Sequence, residues 1–209
     1  MADKPILFSG PMVRALLAGT KTQTRRAIKW NDEVREPPYV ARYAEGARIV
    51  WCEGDDVWTL ARTHAVGDRL YVREHWRTVG SSGQFDDVPP RDMYPQAVWY
   101  VADGEAPANE FVGKHRQAMH MPRWASRLTL TVTDVRVERL QDISVEDAVA
   151  EGALASTEVD QFAQVHAIQM YRAIWTCING EGSWEANPWV AAYTFTVERG
   201  NIDQLARAA

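Results

Sequence analysis

The sequence predicts a mixed α+β fold built on a barrel-like sheet. Several stretches alternate apolar and polar residues as strands do, and others carry apolar residues at helical spacing. These elements do not follow one another in regular β-α-β order, and no G-x-G-x-x-G turn follows a strand, so a doubly wound dinucleotide-binding sheet is not expected. We expect one domain over residues 1–200, with insertions at about 30–66 and 77–118 and a frayed tail at 201–209.

The first elements are a short strand, a helix and a second strand. Ile6–Phe8 is typical of a strand, and Pro11 suits the first turn of a helix because its missing N–H has no partner there. The apolar face of this helix is short, and Gly19 is a natural stop. Residues 22–28 then have the composition of a strand.

The middle of the chain is rich in turns and loops. Residues 30–66 are interpreted as a loop and hairpin insertion, and Gly67 and Asp68 form a turn before a half-buried strand that runs towards Trp76. Residues 80–95 are rich in Gly, Ser, Asp and Pro and predict a loop, while residues 98–101 predict a strand.

The C-terminal part carries the clearest elements. Residues 127–140, RLTLTVTDVRVERL, give the strongest strand pattern. Ser144 and Asp147 form a capping box for a helix that Gly152 stops. Residues 159–178 predict a longer helix, whose apolar face includes Phe162, Val165 and Ile178, and NPWVAAYTFTVER predicts a closing strand.

Charge and cysteine content limit the functional class. The net charge of −5 is unlike that of a bulk nucleic-acid binder, so such contacts would need a local basic groove. Cys52 and Cys177 form no C-x-x-C pair, which fits a reducing cytoplasm, and the five histidines form no zinc motif. The first residues lack the apolar core of a signal peptide, and no apolar run is long enough to span a membrane. We therefore expect a cytoplasmic protein with no metal and no cofactor.

The stretch GTKTQTRR, residues 19–26, is the first candidate for chemistry. Lys21 and Thr24 stand three residues apart, a spacing at which an amine can reach a hydroxyl in a turn. Burial and the neighbouring Arg25 and Arg26 would lower the pKa of the amine, so that it could accept the threonine proton. The alternative is a solvated surface turn, which so short a motif does not exclude.

Two carboxylates are candidates for a third member of the site. Glu74 lies in YVREHW, where an ordinary ion pair is the alternative. Glu151 stands at the end of the capped helix, where the helix dipole does not favour a carboxylate, so the charge is either solvated or held by a partner such as Lys21.

Aromatic residues next to arginines give a second kind of candidate. Trp124 lies between Arg123 and Arg127 in HMPRWASR, a combination that can stack a base and pair with phosphates, although a core tryptophan is the alternative. The segment 180–190 carries Trp184 and either covers a pocket or only pins the last strand.

Taken together, these motifs resemble an ASCH domain of the PUA-like superfamily, in the longer version common in phages and prophages. The resemblance rests on ILFSGPMVRALLAGTKTQTRR, GDRLYVREHW, HMPRWASRLTLTVTDVRVERLQDIS, EDAVAEG and GSWEANPWVAAYTF. It implies a small β-barrel flanked by helices, with a cleft for RNA, nucleotides or nucleosides. One branch of the family, the bacterial N4-acetylcytidine amidohydrolases, has a lysine and a threonine that match Lys21 and Thr24, and a glutamate that matches Glu151.

The resemblance leaves three functions to weigh. The first is hydrolysis of an N4-acylcytidine-type nucleoside by a catalytic set of Lys21, Thr24 and Glu151. The second is non-catalytic binding of RNA or another single-stranded or modified nucleic acid, or a weak ribonuclease that uses His75 or His120 with Glu74. The third is a structural phage protein whose cleft is vestigial. Four residues are predicted to bind the substrate: Arg25, Arg26, Glu74 and Trp124.

Overall fold

The protein is a mixed α+β chain, as the sequence predicts. A computed structural model describes residues 3–28, 43–44, 48–53, 56–62, 64–80, 85–108, 111–155 and 160–205. The chain divides into two compact units. Unit 1 consists of residues 1, 20–68 and 132–196, and unit 2 consists of residues 2–19, 69–131 and 197–209.

Thirteen strands and α-helices account for the regular structure of the described residues. The helices are α1 (Gly10–Ala18), α2 (Val145–Ala150) and α3 (Gln161–Asn179). The strands are β1 (Asp3–Leu7), β2 (Gln23–Ala27), β3 (Tyr43–Ala44), β4 (Arg48–Glu53), β5 (Asp56–Arg62), β6 (Arg69–Arg73), β7 (Trp76–Thr78), β8 (Val98–Tyr100), β9 (Leu128–Arg139) and β10 (Trp189–Arg199).

The strands form three sheets. Five strands follow the order β1-β6-β9-β10-β2, in which β1 and β6 are parallel while β6 and β9, and β10 and β2, are antiparallel. Strands β3, β4 and β5 form an antiparallel sheet inside the predicted 30–66 insertion, and the rest of that insertion lies partly outside the described residues. Strands β7 and β8 form an antiparallel pair.

Local sequence explains where the helices begin and end. Helix α1 starts with Pro11 in its first turn and stops at Gly19, whose φ of 77° is left-handed and costs least for glycine. The Ser144 hydroxyl accepts the Asp147 N–H at 3.1 Å and so caps α2, as the capping box predicts. Helix α3 is capped by Asp160.

Unit 1 has its core where α2 and α3 pack together. The face of α3 that is buried there carries Ala163, Ala167, Tyr171 and Trp175 at intervals of four residues. The predicted face is therefore wrong in part, because the small alanines allow close packing while the predicted Phe162, Val165 and Ile178 are each more than half exposed. Val159 lies outside the described residues. Trp184 is buried in this core with its ring edge towards Tyr171, so the segment 180–190 pins the structure at that point.

Unit 2 has a separate core around Trp76, which is fully buried with Phe85, Met93, Met121 and Ala125. Strand β6 is buried on both faces from Arg69 to Val72, rather than half-buried as its alternating pattern predicts, because Arg69 and Tyr71 also find partners inside.

Residues 201–205, for which the sequence predicts a frayed tail, belong to unit 2 and are tied to its segment 123–126. Asn201 donates its side-chain amide to the carbonyls of Arg123, Trp124 and Ser126, and Ile202 is buried. No helix in the described ranges combines the length and the apolar character that crossing a membrane requires.

Candidate active site

The candidate site lies in unit 1, where the turn before β2 meets the end of α2. Lys21 forms an isolated antiparallel bridge with Glu151, and the Thr22 N–H donates to the Ala150 carbonyl at 2.8 Å. Glu151 stands at the C-terminal cap of α2, and Gly152, with a φ of 78°, lets the chain turn away directly after it. The capping box fixes where α2 starts, and the length of α2 then fixes the position of Glu151 at its C-terminal end.

Lys21 is held by three oxygen atoms. Its Nζ lies 2.8 Å from Glu151 Oε2, 2.8 Å from the Glu151 carbonyl oxygen and 2.8 Å from the Gln23 carbonyl oxygen. Lys21 is 1% exposed and Glu151 is 4% exposed, so this ion pair is screened very little by water. An ammonium has three N–H donors, and these three oxygens can accept all of them.

Burial lowers the pKa of the Lys21 amine from its ordinary value. Glu151 opposes this effect through its charge and its hydrogen bond, while the charges of Arg25 and Arg26 add to it. The amine is consequently closer to its neutral, proton-accepting form than an exposed lysine is. This is the electrostatic condition that the sequence pattern predicts for Lys21.

Arg25 holds the other side of the Glu151 carboxylate. Its side chain is fully enclosed, with Nη1 3.4 Å from Glu151 Oε1, Nη2 2.8 Å from Asp147 Oδ2, and Nε 2.9 Å from Glu138 Oε1. A guanidinium enclosed by three carboxylates has no face for a ligand. The sequence assigned Arg25 to substrate binding, and the geometry instead makes it a group that positions Glu151.

Thr24 and Arg26 extend from the other face of β2. Side chains alternate along a strand, so they lie opposite Gln23 and Arg25, and Thr24 pairs in register with Tyr193 of β10. Thr24 is buried, whereas Arg26 is only partly buried. Burial lowers the pKa of Arg26 while the charge of Glu151 opposes that shift, which places Arg26 within electrostatic reach of the ion pair.

Two aromatic residues that the sequence did not single out border this site. Burial and then the charge of Glu151 raise the pKa of Tyr171, so its hydroxyl keeps its proton. The Tyr193 ring packs edge-on against His64, with ring centroids 5.1 Å apart. Tyr171 was predicted only as part of an apolar helix face, and nothing in the local sequence signals that its hydroxyl lies near Glu151.

Glu74 and Trp124, also predicted to bind the substrate, lie in unit 2 and already have partners there. Glu74 is 1% exposed and accepts two hydrogen bonds from Arg127, at 2.9 and 3.0 Å. Burial raises the pKa of Glu74, and Arg127 opposes this effect. Trp124 packs edge-on against Trp76, with ring centroids 6.2 Å apart, which matches the core-tryptophan alternative.

The arginines considered for phosphate contacts are neutralised by carboxylates. Arg123 pairs with Asp3 and Asp203, and Arg127 pairs with Glu74 and Asp103. A nucleic-acid phosphate would therefore have to compete with the carboxylates that already bind each of these two guanidinium groups.

The structure thus brings Lys21 and Glu151 into contact, with Arg25 behind them, and keeps Glu74 and Trp124 in pairings of their own. Over the described ranges, no group of three or more His, Cys, Asp and Glu side chains could hold a metal ion. No family model matches this chain, and neither a curated protein nor a solved structure matches it.

Proposed function

We propose that the chain is an ASCH-type domain with a PUA-like barrel, and that it hydrolyses the amide of an N4-acylcytidine-type nucleoside. The observation that carries the proposal is the buried contact between Lys21 Nζ and Glu151 Oε2, which lies just before β2, the strand that carries Thr24. An amine and a carboxylate in a shielded site can exchange a proton at little cost, which general acid–base chemistry requires.

The chemistry starts from the neutral form of the pair. Because all three ammonium protons can be engaged, Lys21 must first pass one to Glu151 Oε2 before it can accept another. The Thr24 oxygen then bonds to the acyl carbon as its proton moves to Lys21 Nζ, a transfer that requires the Thr24 hydroxyl to reach the amine from the opposite face of β2. The carbon–nitrogen bond breaks as the Glu151 proton moves to the leaving N4 amine. Water next cleaves the threonine ester, which releases the carboxylic acid and restores the Thr24 hydroxyl.

A second route uses water as the nucleophile from the start. Glu151 removes a proton from water, the hydroxide attacks the acyl carbon, and Thr24 donates a hydrogen bond to the carbonyl oxygen. The carbon–nitrogen bond then breaks as Glu151 returns the proton to the leaving N4 amine, which releases the carboxylic acid. The two routes differ in whether an acyl group is ever bound to the protein. A Thr24→Val variant abolishes acyl transfer to the protein in the first route. In the second route it only weakens stabilisation of the oxyanion.

Hydrolysis of N4-acetylcytidine by the full chain tests the proposal. Lys21→Met and Glu151→Gln should each lower kcat by about 100-fold or more, the scale of a lost acid–base group. Lys114→Ala, which removes an exposed lysine of unit 2, is the matched control and should keep the wild-type rate. Equal rates for wild type and Lys21→Met, or no turnover by wild type on several N4-acyl groups, would remove the hydrolase assignment. Folding of each variant is checked by its thermal melt.

Arg25→Lys separates positioning from binding. Lysine keeps the charge but cannot bridge Glu151, Asp147 and Glu138 at once. We expect kcat to fall while KM changes little, because the variant disturbs a carboxylate and not a substrate contact. A large rise in KM at unchanged kcat would return Arg25 to the substrate-binding role.

Nucleic-acid binding without catalysis would use Arg25, Arg26, Arg123 and Arg127 for phosphate contacts. It has less support, because three of these four arginines, Arg25, Arg123 and Arg127, are paired with carboxylates. It requires an oligonucleotide affinity that falls steeply with salt. A flat salt dependence would exclude it.

A further inference from the structure

A cavity in unit 2, separate in sequence from every residue of the proposed active site, combines positive charge with apolar walls. It has a volume of about 350 Å³, within the range of small-molecule sites. Its basic lining residues are Arg73, Arg91 and His120, and the other lining residues are methionines and prolines. None of the described residues that line it is acidic, although the chain as a whole carries a net charge of −5.

Arg73 is the residue that points most clearly to a ligand. Its Nε is buried and has no hydrogen-bond partner, while Nη1 donates to the Met119 carbonyl at 3.3 Å and Nη2 donates to the Tyr71 hydroxyl at 3.2 Å. A guanidinium has five N–H donors, so these two long bonds leave three. Within the described residues Arg73 forms no ion pair, and the carboxylate next to it in sequence, Glu74, is taken by Arg127.

The Tyr71 side chain fixes the orientation of this guanidinium. The Arg73 Cζ lies 5.3 Å from the centre of the Tyr71 ring, and the Arg123 Cζ lies 5.4 Å from the same ring. Tyr71 is buried on β6, so its ring and hydroxyl are a rigid support. Because Tyr71 already orients the Arg73 guanidinium, its N–H donors need little reorganisation when an anion binds, and this favours binding.

The remaining lining residues indicate which chemical groups the ligand has in addition to its negative charge. The Arg91 side chain is 86% exposed and only 3.7 Å from the exposed Asp92 carboxylate, a weak contact that leaves it able to reach a ligand. His120 can donate a hydrogen bond in either charge state. Met119, which is 56% exposed, and three prolines supply an apolar wall, and Met121 of the Trp76 core lies fully buried at the same cavity. Methionine adapts its shape to flat or irregular ligands.

We infer that this cavity binds a small organic phosphate, with the phosphate on Arg73, Arg91 and His120 and the apolar body against the methionines and prolines. Arginine forks match the geometry of phosphate oxygens. The site is independent of the proposed hydrolase activity, since it involves none of the groups of that reaction.

Methionine methyl NMR on the full chain tests this site directly. The six methionines include two that line the cavity, Met119 and Met121, and two that lie elsewhere, Met12 in α1 and Met170 in α3. The probes are inorganic phosphate, phenyl phosphate and phenol. We expect both phosphates to shift the Met119 and Met121 signals and to leave Met12 and Met170 unchanged. Phenyl phosphate should bind more tightly than inorganic phosphate, and phenol should cause no shift at the same concentration.

Variants of Arg73 and Arg91 then measure how much each positive charge contributes to phosphate binding. Arg73→Gln should weaken phenyl phosphate binding about tenfold or more, the value of a lost charge-assisted contact. Arg91→Ala should weaken it about two- to fivefold, as expected for an exposed charge. Lys114→Ala removes an exposed cation of the same unit and should have no effect. If Arg73→Gln does not fold, Arg91→Ala decides alone, because its side chain is exposed. Absence of shifts at Met119 and Met121, or equal affinity in the arginine variants and wild type, overturns the inference.

Discussion

Removing the Lys21 amine measures how much the fold depends on the buried ion pair. Lys21→Met keeps the volume of the side chain but leaves the Glu151 carboxylate without its closest cation, and two carbonyl oxygens lose a donor. Breaking a buried pair from one side costs about 3–5 kcal/mol, because an uncompensated charge stays inside. Arg25 Nη1, at 3.4 Å from the other carboxylate oxygen, compensates in part, so we expect about 3 kcal/mol.

A double-mutant cycle isolates the interaction between the two side chains. Glu151→Gln leaves a neutral amide that still accepts from Lys21, and we expect it to cost about 2 kcal/mol. In the double variant Lys21→Met/Glu151→Gln neither of the two positions leaves an unpaired charge. The double variant should therefore lower the free energy of unfolding by about 3 kcal/mol, which is about 2 kcal/mol less than the summed effects of the single variants.

Urea unfolding followed by tryptophan fluorescence provides the measurement, since the chain has nine tryptophans and Trp175 and Trp184 lie in the core of unit 1. Lys114→Ala is again the control and should change the free energy of unfolding by less than about 0.5 kcal/mol. Additive single variants, within about 0.5 kcal/mol, would show that the two side chains do not interact in solution. That result would refute the burial argument for a shifted lysine and, with it, the starting state of the proposed chemistry.

Three further changes test other contacts by the same unfolding assay. Asp147→Asn should cost about 2 kcal/mol at pH 7. Burial opposes ionisation of Asp147, but its hydrogen bond from Arg136 and the charge of Arg25 lower its pKa, so its contribution is present above about pH 4 and is lost as the pH falls through the native pKa. A constant difference from wild type down to pH 2 would contradict this. Gly113→Ala should cost about 1–3 kcal/mol, because the new Cβ would lie 2.7 Å from the Asp86 carboxylate, and an unchanged stability would mean that this loop adapts freely. Asn201→Ala should cost about 2 kcal/mol by stranding three carbonyls, whereas no loss would restore the prediction of a frayed tail.

Elements defined by neighbours in sequence were predictable. The start of α2 follows from the Ser144 and Asp147 pair, and the end of α1 follows from Gly19, because each depends on residues within one turn. Strand β9 also follows from its own alternation, and it runs without interruption from Leu128 to Arg139. The positions of these helix ends and of this strand depend on neighbouring residues and not on tertiary contacts.

Burial of individual side chains was less predictable. The apolar pattern of α3 favoured its large residues, whereas packing against α2 selected the row with Ala163 and Ala167, where backbones approach most closely. Arg25 was assigned to a ligand because it lies in a basic motif. Its enclosure depends on Glu138 and Asp147, which lie more than 100 residues further along the chain. Sequence spacing alone contains no information about such long-range partners.

The meeting of Lys21 and Glu151 shows where local reasoning ends. The dipole argument named Lys21 only as one possible partner of Glu151, and the resemblance selected this pair across 130 residues. What local reasoning contributed was the oddity of a carboxylate at the end of a helix, where the dipole disfavours it. A charge in an unfavourable place indicated a partner, and the partner is a lysine.

The charges around this pair argue for a functional rather than a stabilising role. Among the described residues, the direct contacts join three cations and four carboxylates, namely Lys21, Arg25 and Arg136 with Asp134, Glu138, Asp147 and Glu151. The network runs from Arg136, which is 42% exposed, to Lys21, which is almost fully buried. Apolar residues of similar size often serve stability as well as a buried ion pair does, so stability alone does not explain charges at this depth. The cost of burial is greatest at Lys21, and the same burial that makes the ammonium expensive makes the neutral amine accessible. Proton transfer requires that neutral amine, whereas closing a turn does not, so the burial of Lys21 supports the proposed function.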